Sequence, residues 1–264
     1  MTPDSYLARW NLLADGDRIE TPSSLLLPVR RDGQPAMLKI AREDEERRGS
    51  RLMAWWDGDG AAHVLAQDDS AVLLERAMGP RSLPAMVANG EDDAASRILC
   101  AVTERLHAPR HRPLPDLTPL PDWFAMLAPA ANALGGILRE ANAVAQRLLA
   151  SQRDVVPLHG DIHHGNVLDG GERGWIAIDP KGLLGERTFD FVNVLRNPDA
   201  ATALAPGRFA HQVDVLAAAA GLDRRRLLEW TLAFAGLSAA WCIADRQSAE
   251  LDLAVARLAA TALC

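Results

Sequence analysis

The spacing of hydrophobic positions changes once along this chain. Up to about residue 78 the apolar residues come in short runs separated by turn chemistry; beyond it they recur at helical spacing. Residues 22–29 and 36–40 are apolar runs on either side of Arg31-Asp32-Gly33-Gln34, which predicts a hairpin with a longer loop. Residues 43–56 open with charge and then place Leu52, Met53, Trp55 and Trp56 as an amphipathic helix would, with Asp57-Gly58-Asp59-Gly60 as its end. Residues 63–66 and 71–74 read as two further strands. Residues 91–107, 122–150, 209–219 and 223–263 are rich in Ala, Leu and Arg and read as helices, and the proline-rich stretch 109–121 reads as a loop between two of them. One segment, 155–180, breaks the helical pattern as strand, loop, strand. The pattern therefore predicts an α+β chain of two lobes. A small β-rich lobe, 1–78, ends at Met78-Gly79-Pro80, and a large helical lobe, 79–264, carries an embedded hairpin.

The exceptional segment also carries the chemistry. It contains His159-Gly160-Asp161-Ile162-His163-His164-Gly165-Asn166, and Asp179 follows the apolar run Ile176-Ala177-Ile178. Asp161 is placed to accept the proton of a substrate hydroxyl. Asn166 and Asp179 offer the hard oxygens that Mg²⁺ prefers, and Mg²⁺ needs only one or two of them when phosphates and water complete its octahedron. Each residue alone could be an ordinary turn or cap residue; the three together point to phosphoryl transfer. The three histidines also admit a zinc hydrolase, but the other histidines, His63, His107, His111 and His211, stand in unrelated contexts. His159 and His163 read as structural supports of the loop, and His164 as solvent-facing.

Lys39 interrupts the apolar run Met37-Leu38-Lys39-Ile40, and a lysine in such a strand needs a partner, which ATP phosphates would supply. The chain contains no GxxxxGK[ST] loop, so the hairpin loop around Ser23 and Ser24 is the candidate phosphate contact. The stretch 73–77 could present main-chain groups to adenine, as an edge strand does to an added strand.

Composition narrows the partners. A net charge of −7 and a pI near 5.5 argue against nucleic acid and are compatible with a cationic small substrate. No uninterrupted apolar run appears long enough to cross a bilayer, and the N-terminus lacks a signal-peptide pattern, so a cytoplasmic protein, and a monomer, is expected. Cys100, Cys242 and Cys264 have neither disulfide-framework nor zinc spacing; the first two read as small buried residues on helices.

Taken together, these residues resemble the kinase-like aminoglycoside phosphotransferases. The pattern H-G-D-x-H-x-x-N is complete at 159–166, and the metal-binding Asp stands as Ile178-Asp179-Pro180. Residues 35–39, 55–58, 105–109, 183–190 and 236–241 look like the streptomycin 6-kinases, which group with hydroxyurea phosphotransferases. The resemblance implies a two-lobed protein-kinase-like fold and ATP- and Mg²⁺-dependent phosphorylation of the 6-hydroxyl of streptomycin. It implies Asp161 as base, Asn166 and Asp179 on magnesium, Lys39 on the α/β-phosphates, main-chain groups of Glu75 and Ala77 on adenine, and Asp190 as a brace of the catalytic loop. The glutamate that pairs the kinase lysine is displaced: Gly49-Ser50 stands where many relatives carry it, and Glu46 is the nearest substitute, with Glu45 next. For a substrate with two guanidinium groups the helical lobe offers Glu186, Asp245, Glu250 and Asp252, with Trp241 as a stacking surface. Two alternatives remain at this level: a kinase of another small hydroxyl compound, and a nucleotide-binding module without catalysis.

Overall fold

The computed structural model describes residues 2–264. A helix, α1 (Pro3–Arg9), precedes an antiparallel sheet built from β1 (Leu12–Ala14), β2 (Ile19–Glu20), β3 (Ser24–Arg31), β4 (Gln34–Ala41), β5 (Val64–Gln67) and β6 (Ala71–Glu75). The strand order is β1-β3-β4-β6-β5, with β2 against β3. The β3–β4 hairpin closes with Arg31 opposite Gln34 through Asp32 and Gly33, both at positive φ (51° and 78°). This is the two-residue turn that Asp-Gly favours because its twist matches that of the strands, so the longer loop expected there is replaced by a tight one. Tyr6, Leu12, Leu27, Val29, Leu38 and Leu73 fill the core of this sheet.

Between β4 and β5 runs α2 (Asp44–Trp56), the helix expected at 43–56. Its first turn carries Asp44, Glu45 and Glu46, which suit the positive end of the helix dipole. Asp57 ends it in the left-handed conformation, its N–H donating to the Met53 carbonyl. Leu52, Met53 and Trp56 join a core that runs from Val72 and Leu74 of the sheet into the large lobe, so α2 belongs physically to both.

The large lobe is helical: α3 (Leu83–Ala88), α4 (Asp92–His107), α5 (Leu120–Trp123), α6 (Leu127–Leu134), α7 (Gly136–Leu149), α8 (Ala200–Ala203), α9 (Arg208–Ala220), α10 (Arg224–Ala244) and α11 (Glu250–Leu263). Two expected helices are divided. The 122–150 stretch breaks because Gly135 and Gly136 both sit at positive φ (67° and 56°), which ends α6 before α7 begins. The 223–263 stretch breaks after α10, where Arg246 adopts φ 57°. By length and composition α10 could span a membrane, which the sequence reading did not see, yet 72% of its most apolar window is buried. It is apolar on all sides because α6, α7, α9 and α11 surround it. Phe124, Phe189, Trp230 and Phe234 meet edge to face at its centre, with centroids 5.4–5.9 Å apart. Cys100 is buried on α4 and Cys242 half-buried on α10.

The exceptional segment holds three strands rather than two: β8 (Val155–Leu158), β9 (Val167–Asp169) and β10 (Trp175–Ala177). β9 and β10 form a hairpin, whereas β8 joins a separate sheet whose central strand, β11 (Leu183–Glu186), pairs with β8 on one side and with β7 (Thr118–Pro119) on the other; β7 lies inside the proline-rich stretch read as loop. The 159–166 motif therefore bridges two small sheets, each fixing one end of it.

Candidate active site

The motif loop is held from below by Asp190, in the 3₁₀ segment Arg187–Arg196. Its buried carboxylate accepts the N–H of His159 at 2.9 Å and of Gly160 at 2.6 Å, and pairs with His107 Nε2 at 2.7 Å. A carboxylate removed from water needs several such donors, and supplying them pins the start of the loop. His159 is fully buried between the two sheets. Its Nε2–H donates to the Ile178 carbonyl at 2.8 Å and its Nδ1 accepts the Asp161 N–H at 3.2 Å. Burial pushes its pKa down, so the ring is neutral, as this donor-acceptor pattern requires. His163 Nδ1 accepts the Gly165 N–H at 3.0 Å, and burial pushes its pKa down to about 4. His164, read as solvent-facing, is buried instead.

These supports present Asp161 between two amides. Asn166 Nδ2 donates to Oδ2 at 3.2 Å and Asn193 Nδ2 to Oδ1 at 2.5 Å. Burial pushes the Asp161 carboxyl up to about 7, with Lys181 the largest opposing influence. Such a carboxylate is half-ionised at neutrality and, where ionised, a competent proton acceptor.

Asp179 follows β10 in the left-handed conformation (φ 62°), which Asp tolerates better than most residues. Its Oδ1 pairs with Lys39, whose ammonium also pairs with Glu46. Burial works to raise the Asp179 pKa, but the adjacent Lys39 holds it below the ordinary value. The chain's departure at Gly49 has a steric reason: a Cβ there would collide with the Pro180 carbonyl. Removing it lets α2 lie directly on the 179–182 segment, and Glu46, one turn earlier, then reaches Lys39.

A cavity of about 500 Å³ opens between the lobes. Leu26, Met37, Val72, Leu74 and Ile178 form apolar walls, and Lys39, Asn166 and Asp179 stand at its polar end. Flat apolar walls with charge at one end suit a nucleotide. At the other end, the Glu75 N–H is already donated to His63 and the Glu75 carboxylate pairs with Arg173. Ala77, in contrast, enters no main-chain hydrogen bond among the described residues, so it is the better adenine contact of the two. Ser23 and Ser24 both line the cavity; Ser24 is largely buried, with its hydroxyl 3.0 Å from that of Thr21, and Ser23 donates to Glu46 Oε1 at 2.6 Å. For a metal, Asn166 uses its amide N–H to hold Asp161, which leaves its carbonyl oxygen, and Asp179 keeps its Oδ2. Two hard oxygens at the phosphate end of the cavity fit Mg²⁺.

On the far side of Asp161 lies a shallower cleft of about 270 Å³ lined by His163, Asn193, Arg196, Asn197, Asp199 and Leu251. None of the expected acceptor-binding side chains lines it. Glu186 is buried and held by Arg226 at 2.5 Å and by the Arg153 N–H at 3.1 Å; it is a structural ion pair, so its assignment to the substrate is corrected. Trp241 is half-buried edge-on to Trp123, with centroids 5.2 Å apart. Asp245 caps α10 in solvent, and Glu250 is exposed at the start of α11. Asp252 is buried and pairs with Arg196 at 2.9 Å, so it shapes the cleft through that arginine. Asn193, Arg196, Asp199 and Lys181 escaped the sequence reading. They are common residues whose placement depends on the 3₁₀ turn 187–196 and on the lobe contact, neither of which leaves a periodic signal.

Comparison with known proteins agrees with this architecture. Residues 9–246 match the family described as aminoglycoside/hydroxyurea antibiotic resistance kinase. A protein of Klebsiella pneumoniae named streptomycin 3″-kinase is 50% identical over 96% of this chain and 98% of its own length. A streptomycin 6-kinase of Streptomyces glaucescens is 36% identical over 97% of this chain and 86% of its own. The crystal structure of a thermostable mutant of the aminoglycoside phosphotransferase APH(4)-Ia superposes with a TM-score of 0.70 over 99% of both chains at 13% identity, which establishes the two-lobed kinase-like fold. With a family match that spans nearly the whole chain and a half-identical relative of the same length, this chain belongs to the aminoglycoside/hydroxyurea antibiotic resistance kinases.

Proposed function

We propose that this protein transfers the γ-phosphoryl group of ATP to a hydroxyl of streptomycin. The observation that carries the reading is the placement of Asp161, pinned by Asn166 and Asn193: it lines the second cleft, and Asn166, which donates to it, lines the nucleotide-shaped cavity. Residues 1–78 would form the nucleotide-binding lobe and 79–264 the catalytic and acceptor lobe. Lys39, held by Glu46, would contact the α/β-phosphates, and Ala77 would read adenine through its main chain. Mg²⁺, when bound, neutralises the phosphates, and the Asn166 and Asp179 oxygens would hold it. Asp161 orients the acceptor hydroxyl and takes its proton. The acceptor oxygen forms its bond to the γ-phosphorus as the bond to the bridging oxygen breaks, and ADP leaves with that electron pair. Most of the rate then comes from positioning and charge stabilisation.

Two positions on streptomycin are in contention. The resemblance at 183–190 and 236–241 favours the 6-hydroxyl, as does the 36% identical relative. The 50% identical, full-length relative carries the name of a 3″-kinase and gives stronger support to the 3″-hydroxyl. Incubating purified protein with Mg-ATP and streptomycin, and reading the product by ³¹P and proton NMR, decides both questions. Phosphate on the 3″-oxygen is the expected result, phosphate on the 6-oxygen reverses the position, and no transfer from folded, ATP-binding protein rejects the substrate.

A further inference from the structure

The chain has 28 basic side chains, of which 26 are arginine and only two, Lys39 and Lys181, are lysine. Arginine presents a planar fork and lysine a compact point charge. In a chain that otherwise uses arginine throughout, both compact cations stand at the meeting of the two lobes. Lys39 is accounted for at the nucleotide cavity. Lys181 lies two residues after Asp179, and its N–H donates to the His159 carbonyl at 2.7 Å, which locks its main chain to the motif loop. Its Nζ is 3.1 Å from Glu45 Oε1 and 4.0 Å from Asp161 Oδ2, the oxygen to which Asn166 also donates. It therefore sits on the side of Asp161 that faces Asn166 and Asp179, where a phosphoryl group must cross from nucleotide to acceptor. Among the described residues only Glu45 lies within hydrogen-bonding reach of this ammonium, which leaves donors for a further anion.

We infer that Lys181 is a catalytic residue that binds the γ-phosphoryl oxygens of ATP and stays with them through transfer, with Glu45 holding it in reach. The inference rests on reading the site as a kinase centre. Lys181 keeps its proton and forms no covalent bond; it supplies positive charge to the non-bridging oxygens while the P–O bond to ADP breaks and that to the acceptor forms. Consecutive residues of a helix point about 100° apart, so Glu45 and Glu46 hold different lysines, one for each end of the triphosphate. The close approach of α2 at Gly49 and Gly182 sets both, because a Cβ at Gly182 would press on the Arg48 main chain at 3.1 Å.

The test compares ATP with ADP. Dissociation constants for each, with Mg²⁺ and no acceptor, are measured by calorimetry for the native protein, Lys181→Met and Lys181→Gln. Thermal midpoints identify folded variants, and Lys181→Gln carries the comparison if Lys181→Met does not fold. ATP affinity is expected to fall about ten- to a hundredfold while ADP affinity stays within about twofold, since only ATP carries the group that Lys181 holds. With streptomycin present, kcat is expected to fall about 10²–10³-fold while the acceptor KM changes little. Equal weakening of ATP and ADP, or an unchanged ratio, would make Lys181 a strut between α2 and the loop and overturn the inference. A native protein that binds neither nucleotide overturns the kinase reading and this inference with it. If it binds ATP but phosphorylates no aminoglycoside, only the choice of substrate fails, and the ATP-to-ADP ratio alone decides Lys181.

Discussion

The two recesses on either side of the Asn166–Asp161 contact are built on different principles. The nucleotide cavity is walled by apolar side chains of both lobes, and its charges are cross-linked: Ser23 to Glu46, Glu46 to Lys39, Lys39 to Asp179. The acceptor cleft is shallower and polar, and the buried acid nearest to it, Asp252, is already taken by Arg196. One side is a chain of ion pairs under apolar walls; on the other, Asn197 donates to Asn193 and Asn193 to Asp161, which ties part of the cleft to the proposed base, while Asp199 stands apart on the surface. A fixed network of charges suits the holding of a triphosphate, and selection among small cationic acceptors can be made at the polar cleft.

The largest effect should come from the proposed base, which lines the acceptor cleft and is held by Asn166 of the nucleotide cavity. Asp161→Ala is expected to lower kcat about 10²–10⁴-fold while ATP affinity and the thermal midpoint stay close to native. Stopped-turnover kinetics with calorimetric nucleotide binding checks this, and near-native turnover would remove Asp161 as the base.

Next is a substitution that tests whether Glu186 belongs to either recess. Glu186→Gln leaves Arg226 facing a neutral amide, and should cost about 3 kcal/mol, the low end for a buried pair, because Arg226 keeps some contact with solvent. Denaturant unfolding should show that loss while the acceptor KM stays native. A raised KM with unchanged stability would return Glu186 to the substrate.

These two residues also mark what the sequence could disclose. That Asp161 and Asn166 lie together was legible because one short loop holds both, and Asp179 joins them because the β9–β10 hairpin returns the chain to that loop. Lys39 was legible because a charge in an apolar strand needs a partner. Glu186 was misplaced because a carboxylate reads the same in sequence whether it faces a substrate or a half-buried arginine 40 positions away. The helical lobe was legible in its apolar spacing, but not in where glycines at positive φ would divide it. The three strands of 155–180 were compressed to two because β8 pairs forward with β11, outside the segment.

The pH profile sharpens the comparison from the catalytic side. Asp161 must be ionised to accept a proton, and burial raises its pKa to about 7. The sign follows: kcat/KM should be full above that value and fall about tenfold per unit as pH drops below it. ADP binding, which does not need the base, should stay flat over the same range. A profile flat down to pH 5 would mean that Asp161 is not so raised in the working enzyme.

The smallest effects should come from the acceptor surface, where a matched pair of acids separates cleft from bystander. Asp199 lines the cleft and caps α8, accepting the Thr202 N–H at 2.9 Å; Asp245 is exposed outside it. Asn caps a helix about as well as Asp, so Asp199→Asn removes charge while the cap survives. An exposed carboxylate facing a guanidinium contributes about 0.2–1 kcal/mol, so the KM for streptomycin should rise by up to about fivefold, more clearly at low salt, where screening is weak. Asp245→Asn should leave it unchanged at any salt. If the salt-dependent rise belonged to Asp245 instead, the acceptor would lie against the end of α10, and the cleft beside Asp161 would hold only the hydroxyl that is phosphorylated.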